Sequence, residues 1–210
     1  MYFNKALVFT ALCLLIDFGS SFAQTASQTF GTAGTYTFTV PTGVTSITVQ
    51  AWGGGGGARG DGTDARGGGG GGAYASSVLV VTPGQTFTVV VGAGGTATSN
   101  PGQSGQNAVF GNDLVIAAGG TGGTNSGGAG GTVAASIGTT RFAGGTGGSR
   151  STASGAGGGG GGSAFATSNG NNGANASGNT GGAGGTGAGN GGNGGNVSQP
   201  GNAGLAHAAR

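Results

Sequence analysis

Glutamate is absent from this 210-residue chain, and charge of either sign is scarce: four acidic and six basic residues make up 5% of it, with a formal net charge of +2. The acidic residues are Asp17, Asp61, Asp64 and Asp113, the sole lysine is Lys5 and the sole histidine His207. No general-base pair, nucleophilic triad or zinc set can be drawn from that inventory, so a non-enzymatic role without cofactor or metal is expected. A basic face for nucleic acid cannot be assembled either. Cysteine occurs once, as Cys13, and proline four times. Too little proline and a slipping glycine spacing exclude a collagen triple helix. Ordinary disorder, which needs low hydrophobicity together with high net charge, is a poor fit to a chain that is 34% hydrophobic.

Glycine is what fills the space, with 59 residues. Before it dominates, Lys5 precedes the apolar run "ALVFTALCLLI" (Ala6 to Ile16), and "GSSFAQ" places small residues at Ser21 and Ala23. This reads as an export signal, residues 1–23, cut between Ala23 and Gln24. The run is too short to span a bilayer. Cys13 lies inside it, so the exported chain would carry no disulfide. An extracellular or cell-surface location follows, with the periplasm as another destination, and no membrane span in the mature chain.

Past the signal, alternating runs mark half-buried strands: "TYTFTV", "VTSITVQAW", "AYASSVLVV", "TFTVVVG" and "AVFGNDLVIAA". "PTG" and "TPGQ" supply turns between them. "TVAASIGTTRFA" and "SAFATS" are weaker candidates. The fold class is all-β, a small antiparallel sandwich or jelly roll over residues 24–145. Its inward side chains are expected to be Tyr36, Phe38, Val40, Ile47, Val49, Phe87, Val89, Val91, Phe110, Leu114 and Ile116.

The glycine tracts obey another rule. Residues 53–72 hold thirteen glycines, and residues 146–204 form a second glycine-rich region before a tail, 205–210. Ordering a residue costs roughly 1–2 kcal/mol of backbone entropy, while a hydrogen bond returns about 0.5–1.5 kcal/mol net. A lone glycine strand therefore stays disordered, but several packed side by side can order, because a threefold extended helix offers its backbone groups to neighbours. The tracts are thus either flexible linkers or polyglycine II helices. "TGGAGGTGAGNGGNGGN" puts non-glycine residues at 180, 183 and 186, then, after a slip of one, at 190, 193 and 196. In a three-residue helix each series lines one edge.

"YTFTVPTGVTSITVQAWGGGGG", "GGGGGGAYASSVLVVTPGQTFTVVVGAGG" and "FGNDLVIAAGGTGG" together resemble the glycine-rich domain of bacterial secreted proteins and phage tail-tip adhesins. The leader ending in "FAQ" is similar to those of Bacteroidetes surface proteins. The resemblance implies a β-sandwich bearing glycine loops or glycine helices, with a surface-exposed binding or structural role. The closing "GNAGLAHAAR" differs from the sorting domain that ends many such proteins. The aromatic receptor-touching loops of phage members have no counterpart here.

Site candidates are few. Trp52 can pack over the sheet edge or stack on a sugar ring. "RGD" at Arg59 to Asp61 is an integrin-type tripeptide of the kind that chance also produces. Asp61 and Asp64 offer carboxylates for calcium, but Arg59 and Arg66 flank them and favour a self-paired loop tip. Asn175 and Asn196 fit N-glycosylation spacing. The expected function is a secreted structural or adhesion protein, with surface glycans or self-association as partners. The alternative is a glycan- or receptor-binding module. A third reading, ice binding, has only the short row Thr180, Ala183 and Thr186 to offer.

Overall fold

The structure is a computed structural model that describes residues 27–59, 66–97, 100–152, 155–197 and 201. The leader, Asp61, Asp64 and His207 fall outside these residues. Among the described residues there is no helix, and seven strands form two antiparallel sheets. The strands are β1 (Gly34–Thr39), β2 (Ser46–Trp52), β3 (Tyr74–Val80), β4 (Thr86–Val91), β5 (Ala108–Phe110), β6 (Val115–Ala117) and β7 (Thr140–Phe142). One sheet runs β1-β4-β5-β6 and the other β2-β3-β7. The chain is all-β, as its alternating runs require.

Period-two alternation sets the register. Tyr36, Phe38, Phe87 and Val89 fall on one face because Tyr36 pairs with Val89 and Phe38 with Phe87. The two sheets share a core of Val40, Ala51, Val81, Phe87, Val89, Phe110 and Val115, against which Tyr36, Phe38, Ile47 and Val49 pack half-buried. Phe110 anchors it, its ring centroid 4.9 Å from that of Phe87 and 6.1 Å from that of Phe38. In both turns a glycine takes the left-handed position, Gly43 and Gly84 each at φ 81°, as the third residue of a type II turn demands.

The expected inward face fails in β6. Leu114 is 44% exposed, and Val115 and Ala117 are buried where Ile116 was expected. The cause is the connection: Gly111, Asn112 and Asp113 all have positive φ, and this left-handed turn shifts the alternation by one residue. A second difference concerns "SAFATS", which forms no strand. The Ala164 amide instead donates to Gly72 O at 2.9 Å, so Ser163 and Ala164 extend a glycine segment.

Every glycine excursion grows from strand ends. The β2–β3 pair closes at Trp52 opposite Tyr74, and the next bond, Gly53 N to Ala73 O at 3.0 Å, already belongs to the glycine region. From there the pairing recurs at every third residue: Gly56 N donates to Gly70 O and Arg59 N to Gly67 O. The same interval links Gly67, Gly70 and Ala73 to the carbonyls of Thr124, Thr121 and Ala118. Threefold periodicity with all bonds between segments is the signature of polyglycine II packing.

Two segments, 67–72 and 157–162, are six consecutive glycines. They run through the middle of the bundle. The 67–72 segment is bonded to segments 53–59, 118–124, 126–131, 143–149 and 157–164. The 157–162 segment is bonded to 66–72, 143–149, 170–176, 181–187 and 189–195. With neighbours on nearly all sides, most positions have no room for a side chain. A Cβ on Gly70 would lie 2.0 Å from Ala129 O, and one on Gly71 2.0 Å from Gly162 O. Outer segments keep one edge for side chains, hence their Gly-Gly-X pattern. The bonds Gly68 N to Gly148 O and Gly71 N to Gly145 O tie the first tract to the later one.

The slip before Asn190 is not a slip within one helix. The chain bends at 187–189 and returns antiparallel, with Gly191 N on Gly185 O and Gly194 N on Gly182 O. The rows 180/183/186 and 190/193/196 lie on adjacent segments, and all six side chains are exposed.

Candidate functional site: a glycine-lined channel

Outward amides in the bundle have no segment to donate to, and short polar side chains serve them instead. Asn196, Asn193 and Asn190 accept through Oδ1 from the amides of Gly181, Gly184 and Gly187, at 2.8, 2.8 and 3.0 Å. A second ladder has Asn169, Asn172 and Asn175 accepting from Ala143, Thr146 and Ser149 at 2.8–2.9 Å. Asn107 does the same for Gly119 at 2.9 Å. Asparagine carbonyls therefore stand in for a missing neighbouring backbone. The sequence showed the three-residue spacing but gave no sign of this role, and both glycosylation-type residues, Asn175 and Asn196, are engaged in it.

One place in the packing is built differently. Neighbouring segments around 67–72 are bonded to one another in the order 53–59, 118–124, 126–131, 143–149, 157–164, and no bond joins the first to the last. The same gap opens beside 157–162, between 189–195 and 66–72. It is a channel of about 740 Å³ lined mostly by glycine backbone, with Trp52, Arg59, Arg66, Asn190 and Asn193 among the lining residues.

Threefold geometry says what faces this channel. On the central segment, amides 67, 70 and 73 point to 118–124, and amides 68 and 71 point to 143–149. The third series, Gly69 and Gly72, points 120° from both, and Gly69 lines the gap itself, while Gly72 lies at the end that Trp52 closes. These two residues are buried, and among the described residues their N–H groups have no acceptor. On the 53–59 segment the carbonyls of Gly54 and Gly57 accept from Gly120 and Gly123, and that of Gly55 from Gly95. The remaining series, Gly53 and Gly56, faces the channel. On the 157–162 segment the corresponding carbonyls are those of Gly158 and Gly161.

Trp52 closes one end. It is 7% exposed, packs against Tyr74 at 4.8 Å between ring centroids, and its indole N–H donates to Ala164 O at 3.0 Å. Ala164 continues the carbonyl series 158, 161, so the indole satisfies the last member of the row. A sugar-stacking platform would need the ring on the surface, and here it seals the junction between sheets and bundle. Arg59 and Arg66 line the other end. Arg59 donates to Asn125 Oδ1, and among the described residues the buried Nε of Arg66 has no hydrogen-bond partner. Of the residues singled out from sequence, the structure brings Trp52, Arg59 and Arg66 to the channel. Gly69, Gly158 and Gly161, which do the facing, were hidden in uniform glycine runs. Their signal was run length: six glycines in a row mark a central segment of the bundle.

A family model for a glycine-rich domain matches residues 31–209, and the chain belongs to that family. No curated protein matches the chain.

Proposed function

We propose that this member of the glycine-rich domain family is an exported, non-enzymatic structural or adhesion protein of a bacterial surface or extracellular matrix. The observation that carries the reading is the bundle. It obtains fixed structure from main-chain bonds, and its outer rows are the small neutral residues Thr, Asn, Ser and Ala. Such a body has few flexible amide segments to offer a protease and few charges to respond to a changing medium. The leader-like N-terminus supports delivery to the outside. Among the described residues no helix is long and apolar enough to cross a membrane. Glycans are a weaker partner class, since Trp52 and the asparagine rows are committed to internal bonds.

Fractionation of producing cells with N-terminal sequencing tests this. A chain starting at Gln24 outside the inner membrane, and resistant to added protease, is the expected result. An uncleaved chain in the cytosol would overturn it.

A further inference from the structure

The channel has the outline and the bonding pattern of one more glycine helix. Around the 67–72 segment five neighbours stand in sequence, and a sixth fits between 53–59 and 157–164. Seen from that position, three of the channel walls are the 67–72 segment and the two segments flanking it, about 60° to either side, while residues 91–97 and 189–195 complete the lining. A threefold extended strand directs its N–H groups 120° apart, with carbonyls midway between them. Placed here, it would donate to Gly53 and Gly56 on one side and to Gly158 and Gly161 on the other. One of its carbonyls would accept from Gly69. These three walls present the complement that such a strand requires.

Two further observations agree. First, glycine persists at a wall position where the chain's own packing does not demand it. A Cβ on Gly55 would find no heavy atom nearer than 3.6 Å, against 2.0 Å at Gly70 and Gly71. A side chain at Gly55 larger than the methyl of Ala58, which follows three residues later on the same edge, would project into the channel and keep another backbone out. Second, outward amides elsewhere carry asparagine caps, whereas Gly69 and Gly72 are buried without one, a state that folded proteins rarely leave uncompensated. The Trp52 indole shows the remedy at the closed end, where it donates to the next carbonyl of the row.

We propose that the channel is a docking site for an extended glycine-rich strand of a separate polypeptide, bound through its main chain. The strand has glycine at least at every third position, where it faces the 67–72 segment. Walls from 53 to 58 accommodate about six residues, roughly 19 Å at ~3.1 Å per residue. This is strand addition to a sheet edge carried over to threefold packing. It does not depend on where the protein is delivered, so it stands or falls apart from the reading above.

The test uses the purified protein labelled with ¹⁵N-glycine and a capped peptide of four Gly-Gly-Asn repeats. Saturable shifts of the Gly69 amide, with slowed hydrogen exchange there, are expected. Gly55→Leu should abolish the shifts while leaving thermal unfolding in place, and Gly55→Ala offers the smaller change if leucine disturbs the fold. A capped peptide of four Ala-Ala-Asn repeats should give no shift. Absence of saturable shifts, equal binding of the alanine peptide, or binding that survives both Gly55 variants would each overturn the proposal. So would protection of Gly69 that rises with protein concentration alone, because the occupant would then be a second copy.

Discussion

The two sheets and the glycine bundle meet at Trp52 and Tyr74, share the same chain direction across that boundary, and are held together by opposite means. In the sheets the repeat is two residues, and cohesion comes from side chains such as Phe87, Phe110 and Val115 removed from water. In the bundle the repeat is three residues, and side chains are what must be removed. The sheets tolerate a changed side chain wherever it faces solvent. The bundle tolerates one wherever no carbonyl stands opposite. The difference teaches that glycine here acts as a packing residue whose useful property is the smallest possible separation between backbones.

Substitutions can break or sharpen this contrast. The largest effect is expected in the sheets: Phe110→Ala removes a ring in contact with both Phe38 and Phe87 and should cost about 3–5 kcal/mol in denaturant unfolding. In the bundle Gly71→Ala, whose methyl would meet Gly162 O at 2.0 Å, should cost about 1–3 kcal/mol or more, since backbone cannot rotate away as a side chain can. Hydrogen exchange should then show the bundle amides opening before those of β1 and β4. A smaller loss is expected from Asn172→Ala. It strips the acceptor from both the amide and hydroxyl of Thr146, bonded at 2.8 and 2.9 Å, and should cost about 0.5–1.5 kcal/mol by thermal or chemical melt. The smallest and sharpest comparison is between neighbours. Gly56→Ala puts a methyl 2.1 Å from Thr121 O, while Gly55→Ala has nothing nearer than 3.6 Å. The first should destabilise like Gly71→Ala, and the second should stay within about 0.5 kcal/mol of the parent. Equal effects at the two positions would show that the bundle does not pack as described.

Much of the sheet region was legible in the sequence because each strand carries its own alternation and its own turn residues. Leu114 escaped because three left-handed residues in a row moved the phase, and nothing in "GNDLV" announces how many residues a turn will consume. The bundle was legible in part. The rows at 180 and 190 displayed the threefold repeat, but a turn of three residues looks the same as a slip in register. Which segments become neighbours is decided by bonds between chemically identical glycines, so sequence cannot order them. Trp52 was visible as a large aromatic side chain at a tract boundary. Its carbonyl partner, Ala164, lies 112 residues away. The asparagines were read by their chemistry as surface groups, and their service to the backbone depends on a neighbour's vacant edge that only the packing reveals.

The three-residue interval between bonds has a consequence for how such a chain can change. It gives the bundle something like a reading frame. Deleting one residue within 181–185 would rotate everything after it by a third of a turn, putting Thr186 in the place of Gly185, where a Cβ would lie 2.0 Å from Asn171 O, and turning a glycine edge to the water. Deleting three would leave every later residue on its own edge and shorten the segment by one step of the lattice. Length variation in this region should therefore come in threes, and a library of single, double and triple deletions sorted by solubility would display that frame directly.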